Sequence, residues 1–288
     1  MSKKAIFLYD YTGIMAQPWI AAGYECWCFD GQHEPGIVRD GLHVRVGMWF
    51  NADRVDEQAQ EIAQLVGGGV AIVFGFPECT HLAVSGAAHF ARKLAADPHI
   101  QDKATRLAQL VERVGTECGA PWAAENPVSV LSTKWRKPDF SFHPWEFGGY
   151  LPEDDQHPTW PEYIAARDAY PKKTCIWSGG GFIEPERRPV PVTPGYAAQH
   201  LKLGGKSLKT KNIRSATPRG FALAVYAANK GRQMTDDPAA EIEKLRRQRD
   251  ELLNLVKQAR LEWLDQNQTS DDTDVVTPYD HVLYWGDC

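Results

Sequence analysis

Apolar and polar positions along the chain fall into alternating blocks of two periods. Residues 4–11 (KAIFLYDY) are apolar and β-prone, and Thr12-Gly13 ends the run. Residues 17–23 (QPWIAAG) fit a short helix closing at Gly23. Residues 24–30 (YECWCFD) predict a second strand ending in an acid, and 42–50 (LHVRVGMWF) alternate as a third. Residues 53–66 (DRVDEQAQEIAQLV) repeat apolar positions at helical spacing. Residues 69–76 (GVAIVFGF) are continuously apolar, the signature of a strand buried on both faces. Helical stretches near 86–96 and 101–118 follow, and 120–125 (APWAAE) predicts a further strand stopped by Asn126-Pro127. The alternation predicts an α/β fold with a doubly wound, mostly parallel sheet. Ligands of such sheets bind beyond the carboxyl ends of the strands. Gly13, Asp30, Cys79 and Glu125 all fall at predicted strand ends.

Residues 1–132 therefore read as a catalytic and cofactor-binding core. From 133 to 200 the texture turns rich in Pro, Gly and aromatics, and only 173–178 (KTCIWS) has a core-strand pattern. The rest is expected as long ordered loops, with room for a small target-recognition region; its aromatics at 135–150 are expected to pack on the core. Residues 201–232 are expected as a basic loop and a helix (220–230) returning to the core. Lys202, Lys206, Lys209, Lys211, Arg214 and Arg219 lie in 201–219 with no acid among them. Residues 239–288 are expected as a charged helix over 239–264 and a tail. Ile242, Leu245, Leu252, Val256, Ala259 and Trp263 recur there at roughly heptad spacing, interrupted by Arg249. Such a seam makes a homodimer plausible.

Composition narrows the class. The chain has 288 residues, 43% hydrophobic and 24% charged, as in ordinary globular proteins. A formal net charge of −5 argues against a strongly basic nucleic-acid binder and leaves a local basic face open. No apolar run is long enough to span a bilayer. The N-terminal MSKKAIFLYDY lacks a signal-peptide core, so a cytoplasmic location is expected. The six cysteines (26, 28, 79, 118, 175 and 288) lack paired zinc-type spacing, and free thiols are expected. Cys26 and Cys28 share one strand face and read as small buried residues.

Cys79 differs. In Phe76-Pro77-Glu78-Cys79-Thr80-His81-Leu82-Ala83-Val84-Ser85-Gly86 a buried strand ends and a cysteine sits in the turn entering a helix. A helix N-terminus favours a thiolate, which makes Cys79 a candidate nucleophile; a small residue filling the turn is the alternative. This segment resembles the catalytic motif of cytosine-5 DNA methyltransferases, Pro-Cys-Gln-x-Phe-Ser-x-Ala-Gly. Leu82 stands at the Phe position, Ser85 at the small position and Gly86 at the Gly position, while Glu78 and Thr80 depart from the pattern. Glu78 would oppose thiolate formation. Glu125-Asn126-Pro127 is similar to the family's Glu-Asn-Val motif, and Tyr11-Thr12-Gly13 to its Phe-Ser/Ala-Gly turn. The resemblance covers residues 5–130, no Gln-x-Arg-x-Arg pattern follows, and the whole looks like the compact bacteriophage branch.

The resemblance implies a fold like that of S-adenosylmethionine-dependent methyltransferases and transfer of a methyl group to C5 of cytosine in DNA. Cys79 would add to C6 and Glu125 would act as its acid partner at N3. S-adenosylmethionine, or a carboxylated analogue, would be held by Tyr11, Thr12, Gly13, Asp30 and Pro77. Asp30 also reads as a plain turn residue before Gly31. The target base must be flipped or single-stranded, and Lys206, Lys209, Lys211, Arg214 and Arg219 are candidate phosphate contacts. Three alternatives stay open: transfer of a larger group such as carboxymethyl, a non-catalytic DNA-binding scaffold, and a cysteine hydrolase needing a His partner such as His81.

Overall fold

The computed structural model describes residues 3–192, 203, 207–231 and 254–258. The chain divides into two units, Met1–Gln233 and Met234–Cys288. In the second unit only 254–258 are described, as helix; the rest of the predicted 239–264 helix and its dimer seam lies outside the described residues. No helix among the described residues is long and apolar enough to cross a membrane.

The first unit is built on a seven-stranded sheet: β1 (Lys4–Leu8), β2 (Glu25–Asp40), β3 (His43–Gly47), β4 (Val70–Gly75), β5 (Trp122–Pro127), β6 (Phe140–Phe142) and β7 (Thr174–Gly179). Their order is β3-β2-β1-β4-β5-β7-β6. The sheet is parallel from β2 through β1 and β4 to β5, and β7 runs antiparallel between β5 and β6. The order reverses at β1 and β4, the doubly wound arrangement that the alternating pattern predicts.

Helices sort onto the two faces by the period of their apolar residues. On one face α2 (Val55–Val66) and α4 (Ile100–Glu117) cover Ile6, Leu8, Phe29, Val46 and Val73. The packing is close: a Cβ on Gly115 of α4 would lie 2.6 Å from the Trp122 side chain of β5. On the other face lie Phe7, Cys26, Cys28, Ile72, Phe74 and Ile176. They meet α1 (Gln17–Ala21) and the last described helix of this unit, Arg219–Asn229. Between the two helical faces in sequence come α3 (Phe90–Ala96), α5 (Leu131–Lys134) and α6 (Leu208–Ser215), so the last helix is α7.

Three differences from the sequence pattern have physical causes. β2 does not stop at Asp30. Residues 26–30 pair with β3 in step, whereas 36–40 pair with it in reverse order, Asp40 with His43 and Ile37 with Val46. The polar segment GQHEPGIVRD thus forms an exposed edge, which carries no amphipathic signal. Between 133 and 192, β6 and two short 3-10 helices, Pro144–Tyr150 and Ala166–Asp168, join the expected strand β7. They form because aromatics anchor them: Phe142 stacks on Phe221 at 4.1 Å, and Trp135 stacks between Trp122 and Trp177. Finally, part of the expected basic loop is α6, nucleated by Ser207, whose Oγ accepts the Thr210 N–H.

Phe221 lies at the centre of this second core, touching Phe74, Phe142 and Phe147. Phe221→Ala is expected to cost about 3–5 kcal/mol in denaturant unfolding. Trp49, 78% exposed, is expected to tolerate Ala within about 0.5 kcal/mol. Equal losses at the two positions would contradict this placement of the core.

Candidate active site

The carboxyl ends of β4 and β5 are adjacent, and the loops that leave them are laced together. Asn126 on β5, 1% exposed, donates from Nδ2 to the Pro77 carbonyl at 2.9 Å. Further along, Val84 N donates to Val128 O and Val130 N to Leu82 O, both at 3.0 Å. Leu82, fully buried, fills the apolar space beneath with Leu131. These contacts fix the 77–84 loop over the end of β5, where Glu125 sits one residue before Asn126.

Within that loop Cys79 is half-buried, and its carbonyl accepts from Leu82 N and Ala83 N at 3.0 and 2.9 Å. This corrects one expectation. The helix predicted near 86–96 begins as a 3-10 turn at Val84 and becomes α3 at Phe90. Cys79 therefore sits in a separate turn, and no helix N-terminus stabilises its thiolate. Instead its pKa is raised, first by burial, then by the Glu125 charge and more weakly by Glu78. Lys172 acts in the opposite direction. Glu78 is exposed and accepts the Thr80 hydroxyl at 2.6 Å.

Glu125 retains some exposure, but burial of its carboxyl raises its pKa, and Lys172 again opposes the shift. Cys79, Glu125 and Lys172 thus share one electrostatic site. Lys172 was missed by sequence reading. It leads into β7, where Thr174 pairs with Pro127, and its Nζ donates to the Arg214 carbonyl at 3.1 Å. A lysine just ahead of a predicted strand opposite a Glu-Asn-Pro segment was the available signal. His81 is half-buried with Nδ1 unpartnered, and nothing connects it to the Cys79 thiol.

A second group lies after β1 and where the in-step pairing of β2 with β3 ends at Asp30. Asp10, absent from the sequence-based candidates, is 2% exposed and shapes the turn after β1. Its Oδ1 accepts from Gly13 N at 2.8 Å and from Thr12 Oγ1 at 3.2 Å, while its buried Oδ2 has no partner. Burial pushes its pKa up to about 6. Gly13 is required here: its φ is +66°, and a Cβ would meet the His43 ring at 3.0 Å. Tyr11 is exposed and lies 5.4 Å from the His33 ring. Asp30 accepts the Gln32 N–H at 2.7 Å, and burial raises its pKa. The exposed Trp49 indole covers Gly31, with ring atoms 2.3–2.5 Å from where a Cβ would stand. Pro77 is buried and contributes through its carbonyl, as above.

The basic residues separate sharply. Lys209 and Lys211 are exposed on α6. Lys206 lies outside the described residues. Two expected phosphate contacts are corrected. Arg219 forms a bidentate, largely buried ion pair with Asp155, at 2.8 and 2.5 Å. Arg214 spends Nη2 on the Leu203 carbonyl at 2.6 Å. Both guanidinium groups hold the loops together.

No protein-family model matches the chain, and no curated protein matches it either.

The coupled pair has a measurable consequence. A raised thiol pKa lowers the thiolate fraction at neutral pH, so alkylation of Cys79 should rise with pH later than that of an unperturbed thiol. Glu125→Gln removes the anion that disfavours thiolate and should speed alkylation at fixed pH; Lys172→Gln should slow it. Peptide mass spectrometry after timed iodoacetamide treatment reads both, and opposite signs would refute the shared site.

Proposed function

We propose that the protein is a DNA cytosine-5 transferase in which Cys79 is the nucleophile and Glu125 the acid, with a cofactor of the S-adenosylmethionine type. The observation that carries this reading is the convergence of Cys79, Glu125 and Lys172 at neighbouring strand ends of a doubly wound sheet. That is where such sheets bind ligands.

Cytosine C5 is a weak nucleophile until C6 is attacked. The Cys79 thiolate forms a bond to C6, and the electron pair of the C5–C6 double bond moves toward N3. Glu125, whose burial shifts its carboxyl toward the protonated form, donates its proton to N3. The ring becomes an enamine with C5 nucleophilic. S-adenosylmethionine, when bound, supplies the electrophilic methyl group. As C5 takes the methyl group, N3 gives its proton back to Glu125; loss of the C5 proton to a base then re-forms the C5–C6 double bond and expels the Cys79 thiolate. Lys172 stabilises the negative charge shared by Cys79 and Glu125 through the cycle.

For the cofactor, the residues present fit. Asp30 offers a carboxylate where the in-step pairing of β2 with β3 ends, suited to ribose hydroxyls. The Gly13 turn and the unpartnered Asp10 Oδ2 suit a polar, cationic end. These assignments, and the cytoplasm as site of action, belong to the proposal.

Lys172 favours a second reading. A cation beside the reacting pair would accept the carboxylate of a carboxylated donor, giving carboxymethyl transfer by the same chemistry.

Nucleoside mass spectrometry of plasmid DNA co-expressed with the protein tests both readings. Wild type should add a methylene to deoxycytidine, or a methylene plus carbon dioxide under the second reading. Cys79→Ser should abolish the product, and Glu125→Gln should slow its formation by about two to four orders of magnitude. Absence of modified cytosine with wild type would sink the enzymatic reading and leave a DNA-binding scaffold.

A further inference from the structure

The loop between β6 and β7 carries a cleft of about 330 Å³ lined by Thr159, Trp160, Pro161, Glu162, Tyr163 and Lys209. Two of these residues are half-buried aromatics and one is an exposed lysine. Lys209 Nζ sits 5.9 Å from the centre of the Tyr163 ring.

The aromatic wall is held rigidly. His157, 2% exposed, stacks beneath Trp160 with ring centres 5.4 Å apart. Its Nδ1 accepts from Thr159 N and Trp160 N at 3.2 and 3.0 Å. Burial lowers its pKa to about 4, so the ring is neutral and able to accept both bonds at neutral pH. Behind it, Asp155 pairs with Arg219 and also accepts the Arg167 N–H at 2.9 Å. Ile164 anchors the far end among Tyr170, Leu203, Ile213 and Ala216. An indole braced in this way loses little freedom when a flat partner stacks on it.

The position of the cleft relative to the reacting pair is set by α6. Arg214, near the end of that helix, gives its carbonyl to Lys172, which acts on both Cys79 and Glu125. Lys209 lies five residues back, about 7.5 Å along the helix axis. Lys211 adds a second exposed cation on the same short helix.

From these observations we propose that the Trp160–Tyr163–Lys209 cleft is a subsite for a nucleotide flanking the reacting cytosine, with its base against the aromatics and its phosphate on Lys209. The inference rests on the DNA reading above and adds a specificity element to it.

Fluorescence anisotropy with a labelled single-stranded oligonucleotide containing one cytosine tests this on the full chain, across a salt series. Stacking on an aromatic is worth about 1–3 kcal/mol per base, so Trp160→Ala should weaken binding about ten-fold or more while Trp160→Phe largely retains it. Lys209→Gln, an exposed change that leaves the core intact, should flatten the slope of log affinity against log salt by about one. Removing one base at a time from the oligonucleotide should find one abasic position near the cytosine that weakens wild type but not Trp160→Ala. Unchanged affinity and salt slope in Trp160→Ala and Lys209→Gln, with wild type still binding and modifying DNA, would overturn the subsite and leave the reaction standing. Wild type that binds no DNA at all would overturn both.

Discussion

One buried hydrogen bond organises the candidate site: the Asn126 side chain to the Pro77 carbonyl. Cys79 and Glu125 are 46 positions apart in sequence, the first on the loop leaving β4 and the second within β5. Parallel strands β4 and β5 bring the loop origins together, but loops are free to diverge. The amide clamps one loop to the other strand, and the backbone bonds at Leu82–Val130 and Val84–Val128 extend the clamp outward. Such a bond contributes about 0.5–1.5 kcal/mol net, whereas leaving its buried groups unpaired costs about 1–3 kcal/mol. The asymmetry matters most here. Moving the loop away would leave the buried Asn126 Nδ2 without its acceptor.

That clamp also creates an electrostatic conflict. Two acidic groups brought together in a buried site disfavour each other's ionisation, which is why Glu125 raises the Cys79 pKa. The conflict is relieved when either group holds the proton, and the proposed addition to cytosine needs it on the carboxyl with the charge on sulfur. Lys172 lowers the cost of holding the remaining negative charge. Burial and the Glu125 charge disfavour the thiolate, and Lys172, in place of the helix dipole that the sequence suggested, opposes them. Through its charge Glu125 affects sulfur reactivity as well as proton donation.

The sheet was legible in the sequence because buried parallel strands are continuous apolar runs and their covering helices are strongly amphipathic. VAIVFG and the 53–66 helix needed no tertiary information. The edge segment after Asp30 was illegible, since a strand exposed on both faces has no alternation to read. Cys79 and Glu125 were legible through motif and strand position. Asp10 and Lys172 were not, because their roles arise from contacts across the fold: a turn closed on Gly13 and proximity to two distant acids. Of the aromatics at 135–150, expected to pack on the core, Phe140, Phe142 and Phe147 are buried, Trp145 and Tyr150 are half-buried, and the half-buried Trp135 stacks between two other indoles.

The basic stretch shows most clearly what charge counting omits. Residues 208–219 carry Lys209, Lys211, Arg214 and Arg219. Helical geometry turns the two lysines outward, while both arginines bind protein oxygens, one a buried carboxylate. Arginine's planar fork suits such internal ties better than lysine's point charge does. Two exposed lysines would give a salt slope of only about −2 for duplex DNA, well short of proteins that contact six to ten phosphates. On this part of the surface, backbone charge therefore contributes little affinity. A chain of net charge −5 gains little from long-range attraction either. If it acts on DNA, much of its grip has to come from short-range contacts with bases, stacked and hydrogen-bonded in sites held rigid beforehand. The buried Asp155–Arg219 pair and the neutral His157 behind Trp160 are the kind of support such a site requires.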